Sequence, residues 1–124
     1  MPVTTGMITS TRATDTAATN IVVSVRNVDA NDATILVQVF GVPWSTLTLT
    51  PHYVTSYVVP ANSSDIREFY IAGNVAYEVQ LNNLSPLAEV AFSTYGIDEF
   101  GNIVTEQRVL QSELTFIAAL SSSS

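Results

Sequence analysis

Two runs dense in Val, Ile and Thr constrain this chain more than any other feature. Residues 20–27 read Asn-Ile-Val-Val-Ser-Val-Arg-Asn, and residues 33–42 read Ala-Thr-Ile-Leu-Val-Gln-Val-Phe-Gly-Val. β-Branched side chains are stiff at χ1 and suit a pleated surface better than a helix. Between the runs lies Val28-Asp29-Ala30-Asn31-Asp32. Asp and Asn tolerate left-handed geometry and bond their own backbone, so the cluster turns the chain. The stretch from Asn20 to Val42 therefore reads as a long β-hairpin. Ile21, Val23 and Val25 share one face of its first strand, and Ile35, Val37 and Val39 one face of its second. Val22, Leu36 and Phe40 put apolar groups on the opposite faces. A hairpin apolar on both sides does not stand alone in water, so the rest of the chain must cover it.

The rest supplies strands. Val75 to Asn82 alternates cleanly, with Val75, Tyr77, Val79 and Leu81 on one face and Ala76, Glu78, Gln80 and Asn82 on the other. A slip of one residue would turn Glu78 and Gln80 into the core, so the register is firm. His52 to Val59 presents Tyr53, Tyr57 and Val59 against Val54 and Val58, and Asp65 to Ala72 presents Phe69 and Ile71 against Ile66 and Tyr70. Leu47 and Leu49 alternate with threonines and suggest a short strand before Pro51. Leu87 to Ile97 offers Val90 and Phe92 to a core, Ile103 to Leu110 returns, and Ser112 to Leu120 carries Leu114, Phe116 and Ile117. Pro43, Pro60 to Ser64, Gly73-Asn74, Asn83 to Pro86 and Asp98 to Asn102 punctuate these runs. No stretch carries apolar groups at helical spacing with caps at its ends. The pattern predicts an all-β chain: a single jelly-roll-like β-sandwich of about eight strands.

Residues 1–19 differ in character from the remainder of the chain. They hold seven threonines and no aromatic residue, and Val3, Met7 and Ile8 are their only large apolar groups. One reading is a frayed terminus. The other is an extended arm that adds a strand to a neighbour's sheet edge, with Val3, Thr5, Met7 and Ile8 as its joining residues. The expected organisation is an N-terminal arm at 1–19, a sandwich at 20–120 and a polar tail at 121–124 with nothing to bury.

Charge narrows the partners. Eleven acidic residues face four arginines and no lysine, for a net charge of −7. That argues against nucleic acid, which needs a basic footprint, and against anionic membrane surfaces. No apolar run reaches the roughly 18 to 20 residues of a membrane span. Met1-Pro2-Val3-Thr4-Thr5 has neither the basic nor the apolar region of a signal peptide. Only 12% of residues are charged while 47% are hydrophobic, a poor surface for a lone soluble domain. Part of that surface is expected to lie against another copy.

Chemistry is scarce. His52 is the only histidine, no Gly-x-Ser-x-Gly motif accompanies the many serines, and there is no cysteine. A triad and the usual zinc sites therefore lack their parts. Asp29-Ala30-Asn31-Asp32 resembles the opening of a calcium loop but lacks its glycine and its distant glutamate, and Asp98-Glu99 sits in another turn. Glu78, Glu89, Glu106 and Glu113 fall within strands, where carboxylates on a solvent face are ordinary. Trp44, Tyr53, Tyr57, Tyr70 and Tyr95 suit either a core or, if exposed, stacking on sugar rings. The expectation is no enzyme, no cofactor and no metal.

A set of motifs resembles a known family. They are Val25-Arg26-Asn27, Ile35 to Gly41, Pro60 to Ser64, Tyr77-Glu78-Val79-Gln80, Gly101-Asn102-Ile103-Val104 and Ser112-Glu113-Leu114-Thr115. Together they resemble small β-sandwich proteins of Gram-positive spore formers, and within them the subunits of endospore appendage fibres. The resemblance covers roughly residues 20–117. It implies a jelly-roll subunit that polymerises through its N-terminal arm. It also implies synthesis in the mother cell and release at lysis onto the spore surface. The better-known appendage subunits cross-link through cysteines, and this chain has none. The expected function is thus a self-assembling fibre subunit whose partners are other copies of itself and an anchor or tip protein. The alternatives are a carbohydrate- or surface-binding module and a viral or phage jelly-roll shell protein.

Overall fold

The computed structural model of the chain describes residues 2–10, 18–85 and 89–121, without the side chains of 105 and 106. Expectations about 11–17, Pro86, Leu87, the Glu106 carboxylate and 122–124 lie outside the described residues. Seven long strands carry the fold: β3 (Asn20–Asn27), β4 (Ala33–Pro43), β5 (Thr50–Val59), β6 (Ser64–Tyr70), β7 (Asn74–Asn83), β8 (Val90–Ile97) and β9 (Ile103–Val109). Three strands of two residues complete it: β1 (Val3–Thr4), β2 (Ile8–Thr9) and β10 (Thr115–Phe116). Among the described residues, helix is limited to one 3-10 turn at Gln111–Glu113.

The strands form two antiparallel sheets packed as a β-sandwich. Sheet A runs β10-β1-β7-β4-β5, with β2 also on β7, and sheet B runs β6-β3-β8-β9. In sequence, the pairs β4·β5, β3·β6 and β2·β7 nest one inside another and alternate between the sheets. That nesting is the wrapping of a jelly roll. Alternation decides which side chains fill the space between the layers. Ile21, Val23 and Val25 enter from β3, Ile35, Val37 and Val39 from β4, and Tyr77, Val79 and Leu81 from β7, all essentially without solvent contact. Each such side chain contributes about 1.5–3 kcal/mol.

The face assignments on the first two runs hold, but their pairing does not. β3 and β4 are not a hairpin: β3 pairs with β6 and β8, and β4 with β5 and β7. Their apolar faces meet across the core from opposite sheets, which covers both with no ladder between the two strands. Residues 28–32 form a corner between sheets, fixed by Asn27. This buried amide donates from Nδ2 to the carbonyls of Asn31 at 2.8 Å and Val59 at 3.1 Å, and its Oδ1 accepts the Asp29 N–H at 2.9 Å. Asp32 accepts from the Ala61 N–H at 3.0 Å, and Asp29 from the Glu89 N–H at 3.2 Å, which staples the corner to the turns beside it. Hydrogen bonds to Asn31 hold the Asp29 carboxyl below its usual pKa.

Three smaller expectations change. Leu47 and Leu49 make no strand: residues 44–46 turn, Leu47 takes φ 55°, and β5 begins at Thr50. The predicted strand from Ser112 to Leu120 shrinks to the 3-10 turn and the two residues of β10, and Phe116 lies exposed. Ser121 is no idle tail, because its N–H donates to Gln80 Oε1 at 2.8 Å and its Oγ accepts from Gln80 Nε2 at 2.8 Å. The turn at 98–102 is as expected, with Gly101 at φ 83°. There Asp98 Oδ1 accepts the N–H groups of Phe100 and Asn102, both at 2.9 Å.

Candidate assembly strand

Residues 2–10 run along β7. Val3 pairs with Leu81 and Thr4 with Gln80, while Ile8 pairs with Tyr77 and Thr9 with Ala76. Between the two pairings the segment kinks at Gly6, whose φ of 71° is left-handed and suits a residue without a Cβ. Thr5 bridges the kink: its N–H donates to the Val79 carbonyl at 3.0 Å, and its Oγ1 accepts the Val79 N–H at 3.0 Å. Ser10 extends the contact by donating its N–H to the Val75 carbonyl at 2.8 Å.

The four joining residues named from sequence therefore divide. Val3 is buried in the core, Ile8 packs against its edge and Thr5 is half-buried. Met7 points to solvent at 63% exposure. In this structure the segment completes its own sheet and does not stand away as a separate arm. Residues 3–10 supply backbone partners along the edge of β7 beside Tyr77, Val79 and Leu81, which would otherwise stand unpaired.

Polar side chains fix the segment at both ends. Thr4 Oγ1 donates a short hydrogen bond to Glu78 Oε2, which also accepts from Gln80 Nε2 at 2.9 Å. Gln80 in turn holds Ser121, and the Ile117 N–H donates to the Pro2 carbonyl at 3.0 Å, so residues 2–4 and 117–121 meet on this edge. At the other end Gln107 reaches from β9, buried at 1% exposure. Its Nε2 donates to the Thr9 carbonyl at 3.3 Å, and its Oε1 accepts from the Tyr77 hydroxyl at 3.0 Å. Burial alone pushes the Tyr77 phenol well above its ordinary pKa.

The described residues weighed for catalysis each serve a separate local contact. His52 Nε2 lies 3.1 Å from Asn74 Oδ1, Glu78 serves the β1 edge, and Glu113 accepts the Leu110 N–H at 2.8 Å within its own turn. Among the described residues, no three His, Asp or Glu side chains gather as a metal site. No helix among them is long and apolar enough to cross a membrane. Tyr53 and Tyr57 belong to the seam between β5 and β6. The Tyr53 ring lies 5.2 Å from Phe69, and the Arg67 guanidinium sits 3.8 Å over Tyr57. Trp44 and Tyr70 are exposed, and Tyr95 is half-buried.

Asn27, Gln80 and Gln107 escaped the sequence reading, since nothing in a lone amide tells whether it is buried. Gln107 had a further disguise. Thr94 pairs with Val109 but Gly96 with Val104, so β9 bulges and its alternation breaks where Gln107 turns inward. Comparison with protein-family models, curated proteins and solved structures gave no match for this chain.

Proposed function

We propose that this chain is a structural subunit that polymerises by lending its N-terminal segment to a neighbour, and that the polymer is a fibre of the spore surface. The observation that carries the reading is the slot on β7. It is filled by two strands of two residues each, separated by a glycine kink, in a segment that precedes the first long strand. Identical residues from a second copy would fit the slot in the same register: Val3 against Leu81, Ile8 against Tyr77. Contacts within the slot would then be nearly equal whether the segment stays or is exchanged, which makes swapping a low-cost route to assembly. An exchange that passes from copy to copy without closing gives a filament. The fibre and its location rest on the resemblance to endospore appendage subunits. The partners under this reading are further copies and an anchor or tip protein of the fibre. No catalytic step, cofactor or metal enters it.

Negative-stain electron microscopy of the purified full chain tests the function. Filaments are expected. A monodisperse species of 13.3 kDa would overturn the reading, and closed shells would favour a capsid-like protein instead. One observation favours a discrete carbohydrate-binding module: Trp44 stands 74% exposed at a turn, free to stack on a sugar ring. Glycan binding lost in Trp44→Ala, with no filaments, would establish that second reading.

A further inference from the structure

Sheet edges attract other strands, and proteins blunt them with charge, brevity or cover. The described edges of this sandwich are blunted unequally. β6 carries Asp65, Arg67 and Glu68 within seven residues, with Arg67 Nε 2.9 Å from Asp65 Oδ2. β9 carries the exposed Arg108, and β10 is two residues long. β5 ends sheet A on the other side and has none of these protections. Its ten residues, Thr-Pro-His-Tyr-Val-Thr-Ser-Tyr-Val-Val, contain no Asp, Glu, Lys or Arg. Its outward face presents His52, Val54, Ser56 and Val58, all exposed, with both valines more than half so. The inner side is closed, because Arg67 lies over the Tyr57 ring and the Tyr53 hydroxyl donates to the Tyr70 carbonyl at 2.7 Å. What remains open is the backbone edge itself.

We infer that β5 is a docking edge for a second copy of this chain, paired antiparallel with the partner's β5 about a two-fold axis. An uncharged strand is self-compatible: copied against itself it brings no like charges together and desolvates no ion. Antiparallel pairing of two identical edges satisfies the donors and acceptors of both at once. It continues sheet A across the axis, so Val54 and Val58 of one copy lie beside the outward face of the other. The only proline in β5, Pro51, sits at its second position, and the register shift near His52 falls at the same end, so residues 53–59 are left as a regular edge. This contact is separate from the N-terminal exchange. Together the two would join copies in two directions, along a filament and between filaments.

The chain has no cysteine, so single thiols can be placed without background. In an antiparallel pair, opposed residues share a face, so the axis passes through one residue and the outward positions meet either themselves or each other. Val54→Cys, Ser56→Cys and Val58→Cys, each alone and in pairwise mixtures, are treated with a short bismaleimide in the full-length protein. Ile66→Cys, exposed on the outward face of β6, is the control. Pairing raises the local thiol concentration from micromolar toward millimolar. At least one β5 combination should therefore give on the order of tenfold more covalent dimer than the control. Equal yields from β5 and Ile66→Cys, or no dimer at any β5 position, would overturn the inference. The gel reads this contact whether or not filaments form, so failure of the N-terminal exchange does not mimic failure here.

Discussion

Replacing Asn27 by alanine should cost this domain a large part of its stability, although the residue touches no proposed interface. The amide is 1% exposed. It donates to Asn31 and Val59 and accepts from Asp29, with distances between 2.8 and 3.1 Å. Each of these three bonds contributes about 0.5–1.5 kcal/mol, and a buried group left without a partner costs about 1–3 more. The carbonyl of Val59, a residue at zero exposure, loses a donor that alanine cannot replace. The expected loss is on the order of 3–5 kcal/mol, against a total of about 5–15 for a domain. That corresponds to a fall in Tm of roughly 10–20 °C. Urea unfolding followed by far-ultraviolet circular dichroism measures it, with Asn31→Ala as the control. Asn31 is exposed, its side chain bonds only Asp29, and the carbonyl that Asn27 uses survives the change. A loss below about 1 kcal/mol for Asn27→Ala would mean that the corner is held by something else.

The latch on the N-terminal segment should be separable from the fold. A Cβ at Gly96 would collide with Gln107 Oε1 and crowd Ala18. Gly96→Ala should therefore break the Tyr77–Gln107–Thr9 chain and speed amide exchange at residues 8–10 more than in β3, whereas unchanged exchange there would refute the latch. Alkali should unfold the protein. Burial raises Tyr57 to about 12 and Tyr77 further, so above pH ~10 the unfolded chain loses phenolic protons that the folded one keeps. Stability is then full below about pH 10 and falls as pH rises beyond it. Phenolate absorbance should rise for these two tyrosines only as the circular dichroism is lost; five ordinary titrations in a folded protein would contradict this.

How much of this was legible depended on what alternation can carry. Period two says which side chains share a face, and on β3, β4, β5, β6 and β7 the faces read from sequence line the core. Val22, Phe40, Ala76 and Gln80 on opposite faces are buried as well, which alternation does not announce. It does not say which strand lies alongside. Val28 to Asp32 suits either a hairpin loop or a corner, and the deciding group, Asn27, looks like any polar residue at a strand end. Leu47 and Leu49 alternate as a strand would, yet Leu47 takes φ 55° after the turn at 44–46 and pairing resumes only at Thr50. The N-terminal segment was legible as extended chain in search of an edge; that the edge is its own β7 is a matter of topology, which residues 1–19 do not encode. Ser121 was misread because a serine tail bonds only where a partner such as Gln80 happens to face it.

The claim that copies exchange their N-terminal segments can be read from one gel. Thr9 and Ala76 are cross-strand partners, so Thr9→Cys with Ala76→Cys places two thiols in the pairing that joins the segment to β7. If the segment comes from the neighbouring copy, oxidation links one chain to the next. A non-reducing denaturing gel of the assembled protein would then show a ladder at multiples of 13.3 kDa that collapses with reductant. A single monomer band with both thiols consumed would mean that each chain keeps its own segment, and would contradict the account.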